Sequence, residues 1–403
     1  MIEVVIIGAG IVGLSTALAL AQAGFSVTIV ETRPHPEVIM PNASEPFDIK
    51  VVAISRSSQQ FFKSLNIWEK IVNGRACAYQ HMTIWDSVAD GIIHFSAADF
   101  FEPDLGHIIE QRVILAALWQ AIKMQSNVTI IPGTHLVEMR PNKESVELLL
   151  SSGMTFHTAL LIGADGALST VRKCAQIETT AWDYQQSAII ATVEGKKSHQ
   201  QTAFQRFAPD GPLALLPLAQ TNQSSIVWTT SPERALDLSQ QPTATFNKTL
   251  TRETDDVMGD FEVVSSRMVI PLRTHHTKQY AKSRCVLVGD AAHTLHPLAG
   301  QGVNLGLLDA TSLVDKLITA KNRDRDMGSM KVLQRYERER RMHNQMMIWG
   351  MEAFKRGFGS RSQMVQRLRN VGLNWVDKQL SVKQFFAKLA MGTLSTDAEN
   401  HII

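Results

Sequence analysis

Short apolar runs alternate with glycine-containing turns along the chain, a pattern that is typical of buried parallel strands followed by helices. Residues 2–7 form the first β-branched run, which stops at Gly8. Residues 11–24 are rich in Ala and Leu, as in a helix, and residues 26–30 form a second apolar run. A further buried strand is predicted at residues 285–288. The order strand, turn, helix, strand predicts an α/β fold built on a Rossmann-like unit.

Other segments alternate apolar and polar residues, which favours strands of an antiparallel sheet. The segments that predict this inserted sheet are residues 82–85, 187–193, 225–229 and 263–270. The pattern then changes, and residues 332–392 are predicted to be mostly helical. Methionines and phenylalanines recur there at helical spacings, which favours a helix-packing face. They are Met346, Met347, Met351, Phe354 and Phe358.

The turn after the first strand carries three glycines spaced as in a dinucleotide-binding motif, Gly8, Gly10 and Gly13. Such glycines permit a tight turn, close approach of the backbone to a pyrophosphate, and close packing of helix on strand. The helix N-terminus offers N–H groups and a partial positive charge to the phosphates. Glu31 follows Gly8 by 23 residues, close to the roughly 20 expected for an acid that binds the adenosine ribose. This unit predicts a dinucleotide without distinguishing NAD from FAD.

A second motif, near the C-terminal end, distinguishes the two dinucleotides. Asp290 follows the predicted strand 285–288, at the edge where open α/β sheets bind ligands. Its carboxylate can accept hydrogen bonds from ribityl hydroxyls, which FAD has and NAD lacks. A turn and a helix predicted to begin near Val303 would then offer N–H donors to the flavin ring. The two motifs together indicate FAD, although the second alone also fits an ordinary strand–turn–helix connection.

A third motif, at residues 161–172, lies between the other two. A strand is predicted to end at Asp165 and Gly166, and a short helix carries Arg172. The residues alone support a cofactor-binding role and a plain structural turn equally.

These three motifs, in this order, resemble the single-component flavin monooxygenases of the p-hydroxybenzoate hydroxylase type. The segment 293–306 resembles the ubiquinone-biosynthesis ring hydroxylases in particular, and the likeness extends along nearly the whole chain. Further segments that carry it are residues 65–68, 105–110, 182–185, 210–218, 335–338 and 368–373. Within the family, residues 76–79, 85–86 and 182–185 look most like the bacterial 2-polyprenylphenol C5-hydroxylases.

The resemblance implies a p-hydroxybenzoate hydroxylase-like fold, α/β in its cofactor domain and α+β overall. A discontinuous FAD-binding domain would comprise residues 1–73, 105–178 and 283–331. An inserted antiparallel-sheet domain, residues 74–104 and 179–282, would cover the flavin and form the substrate pocket. Residues 332–403 would form a C-terminal helical region.

Carried onto this chain, the resemblance assigns two sets of residues to FAD. The ADP half would be held by Gly8, Gly10, Gly13 and Glu31. The ribityl chain and flavin ring would be held by Asp290 and by the turn and helix start that contain Pro297, Gly300, Gln301, Gly302, Val303 and Asn304, chiefly through the backbone from Gly300 to Asn304.

Other positions are assigned less specifically. Gln111 stands where relatives have an Arg, Asn or Gln that touches the cofactor, and Asp165 belongs to a motif associated with FAD and NAD(P)H handling. Lys50 stands where relatives often have Arg, and it lacks the bidentate fork of Arg. His293 and His296 are more consistent with structural than with catalytic roles. The sequence identifies no catalytic base and asks for no metal.

The implied reaction is hydroxylation of a polyprenylated phenol in ubiquinone biosynthesis by O2, through a flavin C4a-hydroperoxide. The electron source would be NAD(P)H or a separate reductase, because no second Gly-x-Gly-x-x-Gly motif is present. Two alternatives remain open at this point. One is a flavin-dependent reductase of prenyl double bonds, which consumes no O2, and the other is a non-catalytic flavoprotein subunit of a biosynthetic assembly. A prenyl-tail groove is the alternative interpretation of the recurring methionines.

The net charge and its distribution indicate which kinds of partner this chain could bind. The formal net charge is only +2, so there is no global electrostatic case for nucleic acid. The distribution is uneven, because residues 316–388 contain 17 Lys and Arg against 6 Asp and Glu. This excess predicts either a solvated helical face or a surface for anionic lipid or for an acidic partner subunit.

The cysteines and the lengths of the apolar runs indicate the cellular compartment. Cys77, Cys174 and Cys285 are scattered, which argues against a disulfide framework, a structural zinc site or a redox dithiol. We expect no signal peptide and no membrane-spanning segment, because no apolar run approaches ~18 residues. The expected location is the cytoplasm, with peripheral contact to the inner membrane if the substrate carries a prenyl tail.

Overall fold

The structure is a computed structural model that describes residues 2–42, 44–73, 75–88, 91–294, 301–359, 379 and 383–384. Side chains are described for these residues except 182–184, 301 and 351–359. The chain folds as a mixed α/β protein.

The described helices are α1 (Ile11–Gln22), α2 (Arg56–Ser64), α3 (Trp68–Val72), α4 (Gln111–Lys123), α5 (Thr170–Cys174), α6 (Pro232–Gln240), α7 (Thr243–Glu253), α8 (Gln301–Lys321) and α9 (Met330–Gly359). The described strands are β1 (Ile2–Ile7), β2 (Val27–Glu31), β3 (Val51–Ile54), β4 (Cys77–Tyr79), β5 (His81–Asp86), β6 (Ile92–Ser96), β7 (Gly106–Glu110), β8 (Val128–Pro132), β9 (Leu136–Pro141), β10 (Val146–Leu150), β11 (Thr155–Gly163), β12 (Thr179–Gly195), β13 (Thr202–Ala208), β14 (Gly211–Pro217), β15 (Gln223–Thr230), β16 (Phe261–Val263), β17 (Met268–Thr277), β18 (Ala281–Lys282), β19 (Cys285–Leu287) and β20 (His293–Thr294).

The first sheet, which we call the parallel sheet, has the order β18-β19-β11-β1-β2-β8, with β10 and β9 added beside β11. Its strands β19, β11, β1, β2 and β8 run parallel. The central strands are apolar on both faces because helices cover them, as expected for a parallel sheet. The main hydrophobic core lies here, between these strands and the buried faces of α1, α4 and α8. The predicted Rossmann-like unit is confirmed.

The second sheet, the antiparallel sheet, has the order β20-β17-β12-β15-β14-β13-β5-β6. Helices α6 and α7 cover one of its faces through a separate core. The predicted strands 82–85, 187–193 and 225–229 are confirmed within β5, β12 and β15. The single strand predicted at residues 263–270 is wrong. Instead β16 and β17 pair with different stretches of β12 on either side of residues 264–267.

A small third sheet, β3-β7-β4, lies between the other two. Ala53 and Ile108 from this small sheet pack against Ala214, Leu216 and Leu218 of the antiparallel sheet. The small sheet therefore joins the parallel sheet's half of the molecule to the antiparallel sheet.

Two predicted helix ends differ from the structure. The first helix ends at Gln22 rather than Gly24, because Gly24 takes a left-handed φ of +77° and closes the helix C-terminus. Helix α8 begins at Gln301, before the expected Val303. The prediction places Gly302 in the turn, but a helical glycine costs only about 1 kcal/mol relative to alanine.

The C-terminal helical prediction is confirmed for α9, and residues beyond 359 lie almost entirely outside the described part. Met347 is half-buried beside Leu305 and Ile348. The helix-packing interpretation is wrong for Met346, whose side chain is exposed. The side chains of Met351, Phe354 and Phe358 are not among those described.

Three glycines allow backbones to meet at the end of β1. A Cβ on Gly13 would lie 2.1 Å from the carbonyl oxygen of Gly8, and one on Gly8 would lie 2.5 Å from the carbonyl oxygen of Ala164. On the other side, a Cβ on Gly306 in α8 would lie 2.6 Å from a methyl of Val12. These contacts leave no space for side chains, so β1, β11, α1 and α8 are fixed relative to one another.

We expect Gly13→Ala to lower the free energy of unfolding by roughly 1–3 kcal/mol, because the added methyl must displace a backbone carbonyl. Gly10→Ala is the matched control. Gly10 has φ −78°, and a methyl added to it would have no atom within 4 Å, so its cost should stay within about 1 kcal/mol. Urea unfolding of both variants without added ligand measures this, and equal losses would contradict the packing account.

Candidate active site

Four of the residues predicted to bind the cofactor lie at one edge of the parallel sheet. Gly8 follows β1, Glu31 ends β2, Asp165 follows β11 and Asp290 follows β19. Because these strands are parallel neighbours, their carboxyl ends open onto the same crevice, where ligands of open α/β sheets bind. The structure thus brings together residues that are up to 282 positions apart in the chain.

Gly10 begins α1 and borders this crevice. It is exposed, its φ of −78° suits any residue, and a methyl on it would touch no protein atom. No side chain of the described residues caps the helix N-terminus. Neither packing nor backbone conformation therefore requires glycine at position 10, and the open space beside uncapped N–H groups fits a phosphate ligand.

Glu31 is tied to the glycine turn. Its Oε2 accepts the backbone N–H of Ala9 at 2.8 Å, and its Oε1 accepts both the backbone N–H and the Nε–H of Arg33 at 3.0 Å. Burial opposes ionisation, but the hydrogen bonds from Arg33 and Ala9 outweigh it and lower the pKa of Glu31. The ionised carboxylate retains acceptor capacity for ribose hydroxyls.

Asp165 does two things. Its Oδ2 accepts the backbone N–H groups of Thr170 and Val171, at 2.6 and 3.1 Å, and so caps α5. Its Oδ1 is buried and has no hydrogen-bond partner among the described residues. The structural alternative for this motif is thus correct for one oxygen, while the other oxygen is an acceptor available to a bound group.

Asp290 lies in the 3₁₀ turn Gly289–Ala291. Its side chain is exposed at the crevice, and desolvation by the surrounding protein raises the pKa of its carboxyl, with His293 acting in the opposite direction. No described residue donates a hydrogen bond to the carboxylate. An acceptor placed in this way suits the hydroxyls of a ribityl chain.

The side chain of Asn304 is hydrogen-bonded within the protein. Its Nδ2 donates to the carbonyl of Ala53 at 2.7 Å, and its Oδ1 accepts the Ser55 N–H at 3.0 Å and the Ser58 hydroxyl at 2.8 Å. The buried amide therefore fastens the start of α8 to the turn between β3 and α2, which leaves only its backbone for a cofactor. Gln111 borders the same strand, because its N–H donates to the carbonyl of Lys50.

The other predicted flavin contacts are only partly described. Pro297, Gly300 and His296 lie outside the described residues. Gln301 and Gly302 form the first turn of α8, where a methyl on Gly302 would meet no atom within 4 Å, and Val303 is half-buried.

Sequence reasoning missed Asp309, which organises the Asp290 turn from α8. This fully buried carboxylate accepts the Gly289 N–H at 3.1 Å, contacts His293 Nε2 at 2.5 Å, and accepts from Arg340 Nε at 2.8 Å and Asn344 Nδ2 at 3.2 Å. Burial alone would raise the pKa of Asp309, but His293 and Arg340 hold it well below its ordinary value. The only sequence signal was an acid within the apolar first half of α8. Its partner His293 is buried and held by this contact.

The same network extends to the antiparallel sheet. Tyr280 Oη lies 2.8 Å from His276 Nε2 and accepts from Asn344 Nδ2 at 3.1 Å, and Tyr336 Oη donates to the carbonyl of Leu287 at 2.9 Å. Helix α9 is thereby joined to both sheets at the Asp290 turn.

Arg172 connects the second and third motifs. Its Nη1 donates to the carbonyl of Ala291 at 2.9 Å and lies 3.1 Å from His275 Nε2. A guanidinium has only donors, so this ring nitrogen must accept and must be unprotonated. Burial, followed by the charges of Arg172 and His293, lowers the pKa of His275 to about 4.

These observations fit FAD. The open glycine turn and Glu31 suit a pyrophosphate and its ribose, and the unpartnered acceptors of Asp165 and Asp290 suit hydroxyls. Bound there, FAD would be held along one edge of the sheet from the start of α1 to the start of α8. No cluster of three or more potential metal ligands occurs among the described residues.

Comparison with known proteins agrees with this assignment. A family model described as FAD binding domain matches residues 1–349. The 3-demethoxyubiquinol 3-hydroxylase of Escherichia coli (strain K12) is 36% identical over 392 residues, which cover 97% of this chain and 98% of that protein. The mitochondrial ubiquinone biosynthesis monooxygenase COQ6 of Homo sapiens is 32% identical over 419 residues, covering 92% and 88%.

A solved structure supports the fold. The p-nitrophenol 4-monooxygenase PnpA of Pseudomonas putida DLL-E4 matches with a TM-score of 0.77 over 96% of this chain and 98% of that one. At 18% sequence identity this likeness concerns the fold alone. The predicted fold and the predicted cofactor are confirmed.

We expect acid to destabilise the protein partly through His275. Its pKa is about 4 in the fold and about 6.5 in an unfolded chain. Between these values the unfolded state binds more protons, so stability falls as pH drops from 6.5 to 4. In His275→Gln this fall should be smaller by up to about 3 kcal/mol. Urea unfolding of FAD-free protein across this range measures it.

His135→Gln is the control, because His135 is exposed. Its replacement should leave the pH dependence of the free energy of unfolding as it is in wild type. A wild-type slope in His275→Gln as well would show that His275 does not carry the effect.

Proposed function

The chain belongs to the FAD binding domain family and is an FAD-dependent monooxygenase, and from this premise we propose that it hydroxylates the ring of a polyprenylated phenol on the way to ubiquinone. Relatives named for hydroxylation in ubiquinone biosynthesis, aligned over 92–97% of the chain, support this substrate class. The observation that carries the proposal is the position of an apolar sheet face next to the flavin-binding turns.

That position follows from direct strand pairing. β20, which continues the Asp290 turn, pairs with β17 of the antiparallel sheet through His275↔Thr294 and His276↔His293. The antiparallel sheet is therefore hydrogen-bonded to the turn that would hold the ribityl chain, and its uncovered face lies towards the small sheet that Asn304 fastens to α8.

This face carries an apolar patch, which Ser225 and Thr192 border. Ile190, Val227, Ala214 and Leu216 project from neighbouring strands on the side opposite the core under α6 and α7. Ala214 and Leu216 pack against Ala53 of the small sheet, whereas Ile190 is only half-buried and belongs to none of the hydrophobic clusters that the described residues form. Such a surface can bind an aromatic ring and exclude water from it.

Bound reduced FAD supplies the activation of O2. The chain's own residues contribute binding and orientation: Asp290 and the α8 N-terminus hold the flavin end, and the apolar face presents the ring. His275 and His276 are each held by hydrogen bonds, and burial lowers the pKa of each to about 4. Neither is therefore assigned as a general base.

The electron source is NAD(P)H bound transiently or a separate reductase. The ring carbon stays a prediction, with C5 favoured by short motifs, whereas the Escherichia coli relative is named as a 3-hydroxylase. The enzyme works at a membrane surface, because a polyprenyl tail partitions into bilayers. Among the described residues no helix has the length and apolarity needed to cross one.

We expect photoreduced, FAD-loaded protein to incorporate one labelled oxygen atom into a 2-polyprenylphenol after a pulse of isotopically labelled O2. Mass spectrometry measures incorporation and NMR assigns the ring carbon. Photoreduction makes the result independent of the natural electron donor. Peroxide without ring label, from both a 2-polyprenylphenol and a demethoxyubiquinol, would contradict the proposal. Reduction of a prenyl double bond without O2 uptake would replace it with the reductase.

Ile190→Trp tests the sheet face. Filling this surface should lower ring labelling roughly tenfold or more, while the bound FAD content is unchanged. Val264→Trp, at an exposed position of the same sheet's edge, should behave as wild type.

A further inference from the structure

Helix α9 has an anchored face and a free face. Tyr336, Arg340, Asn344 and Ile348 are buried against α8 and the Asp290 turn. On the opposite face, large apolar side chains are exposed: Met342 by 68%, Met346 by 62% and Trp349 by 66%. Spacings of four and three residues place these three on one line along the helix.

The N-terminal half of the same line is cationic. Lys331, Arg335 and Arg338 continue it, with Arg341 on its flank. All four are exposed, and none forms an ion pair with a described residue. The helix face therefore runs over roughly 27 Å from three cations to three apolar side chains. We call the residues Lys331, Arg335, Arg338, Met342, Met346 and Trp349 the α9 stripe.

Arg325 adds to the positive charge, because it joins Arg335 in lining a shallow cavity beside α9. Those acids of this helix whose side chains are described have partners within the protein: Glu337 accepts the Tyr280 N–H, and Glu339 accepts from Ser312 and Lys316. The exposed line thus keeps a net positive potential beside its apolar end.

We propose that the α9 stripe docks the enzyme on an anionic phospholipid surface. Exposed Lys and Arg attract lipid phosphates, and Met and Trp on the same line enter the boundary between headgroups and acyl chains, where Trp is favoured. A line of cations and apolar side chains on a convex helix suits a planar charged interface. The choice of lipid rests on the proposed function, because a prenylated substrate dissolves in the bilayer.

The α9 stripe would also set the position of the flavin-binding crevice relative to the membrane. Arg340 and Asn344, on the buried side of the same helix, hold Asp309 and through it the Asp290 turn. One helix therefore separates the lipid-facing stripe from the flavin-binding turn, and docking sets the crevice at a fixed distance from the membrane.

Flotation of the FAD-loaded full chain with vesicles tests the docking without any turnover. We expect binding to phosphatidylcholine vesicles that contain phosphatidylglycerol, weaker binding at high salt, and little binding to pure phosphatidylcholine. The double variant Arg335→Gln/Arg338→Gln should bind roughly thirtyfold more weakly, and Met346→Gln/Trp349→Gln should lose binding to a similar extent. Both should retain FAD and ring labelling of a short-chain prenylphenol.

Matched controls change equally exposed residues elsewhere. Arg140→Gln/Arg252→Gln and Met124→Gln/Leu236→Gln should bind vesicles as wild type does. Wild-type binding by the stripe variants, equal binding to neutral and anionic vesicles, or no vesicle binding would each overturn the proposal. So would self-association that the stripe variants abolish, which would assign the face to a second copy. Because flotation needs no substrate, a failed oxygenation test with successful flotation would reject the substrate and leave the docking standing.

Discussion

The architecture of the site depends on the direct contact of backbones at the end of β1. Gly13, Gly8 and Ala164 meet there at distances that no side chain could occupy, and Gly306 lets α8 pack directly on a methyl of Val12. Because interiors are close-packed, such contacts fix the relative positions of the segments they join. Turns from the beginning, middle and end of the chain are thereby held along one edge. A long dinucleotide can be bound at both ends only because these turns keep a constant separation.

Polar groups fix the position of the Asp290 turn, which the glycine contacts alone do not hold. The buried carboxylate of Asp309 gathers Gly289, His293, Arg340 and Asn344, so the Asp290 turn is held from behind while its own carboxylate stays open to the crevice. Removing one partner from such a network leaves a buried charge uncompensated, which is costly. The same network fastens α9, and through α9 the proposed lipid-facing stripe is mechanically joined to the flavin site.

The sequence correctly predicted the features that depend on residues close together in the chain. Gly8, Gly10 and Gly13 lie at the spacing of a dinucleotide-binding turn, and β1, α1 and β2 form where the apolar pattern places them. It did not predict the clamp of Asn304 on Ala53 and Ser55, which joins positions some 250 residues apart, nor the pairing of Asp309 with Arg340. Such contacts depend on tertiary packing. Strand 263–270 was mispredicted because a continuous β pattern hides the change of partner along β12, and Met346 because helical spacing alone does not show which face packs.

The structure would hold one cofactor at two ends, at the glycine turn after β1 and at the Asp290 turn. Calorimetry of FAD, FMN and ADP binding to flavin-free protein tests this most directly. Joining two half-sites through one ligand makes the second contact intramolecular, so FAD should bind at least roughly a hundredfold more tightly than either FMN or ADP. Asp290→Ala should weaken FAD and FMN while leaving ADP unchanged. FMN or ADP binding as tightly as FAD would contradict the account.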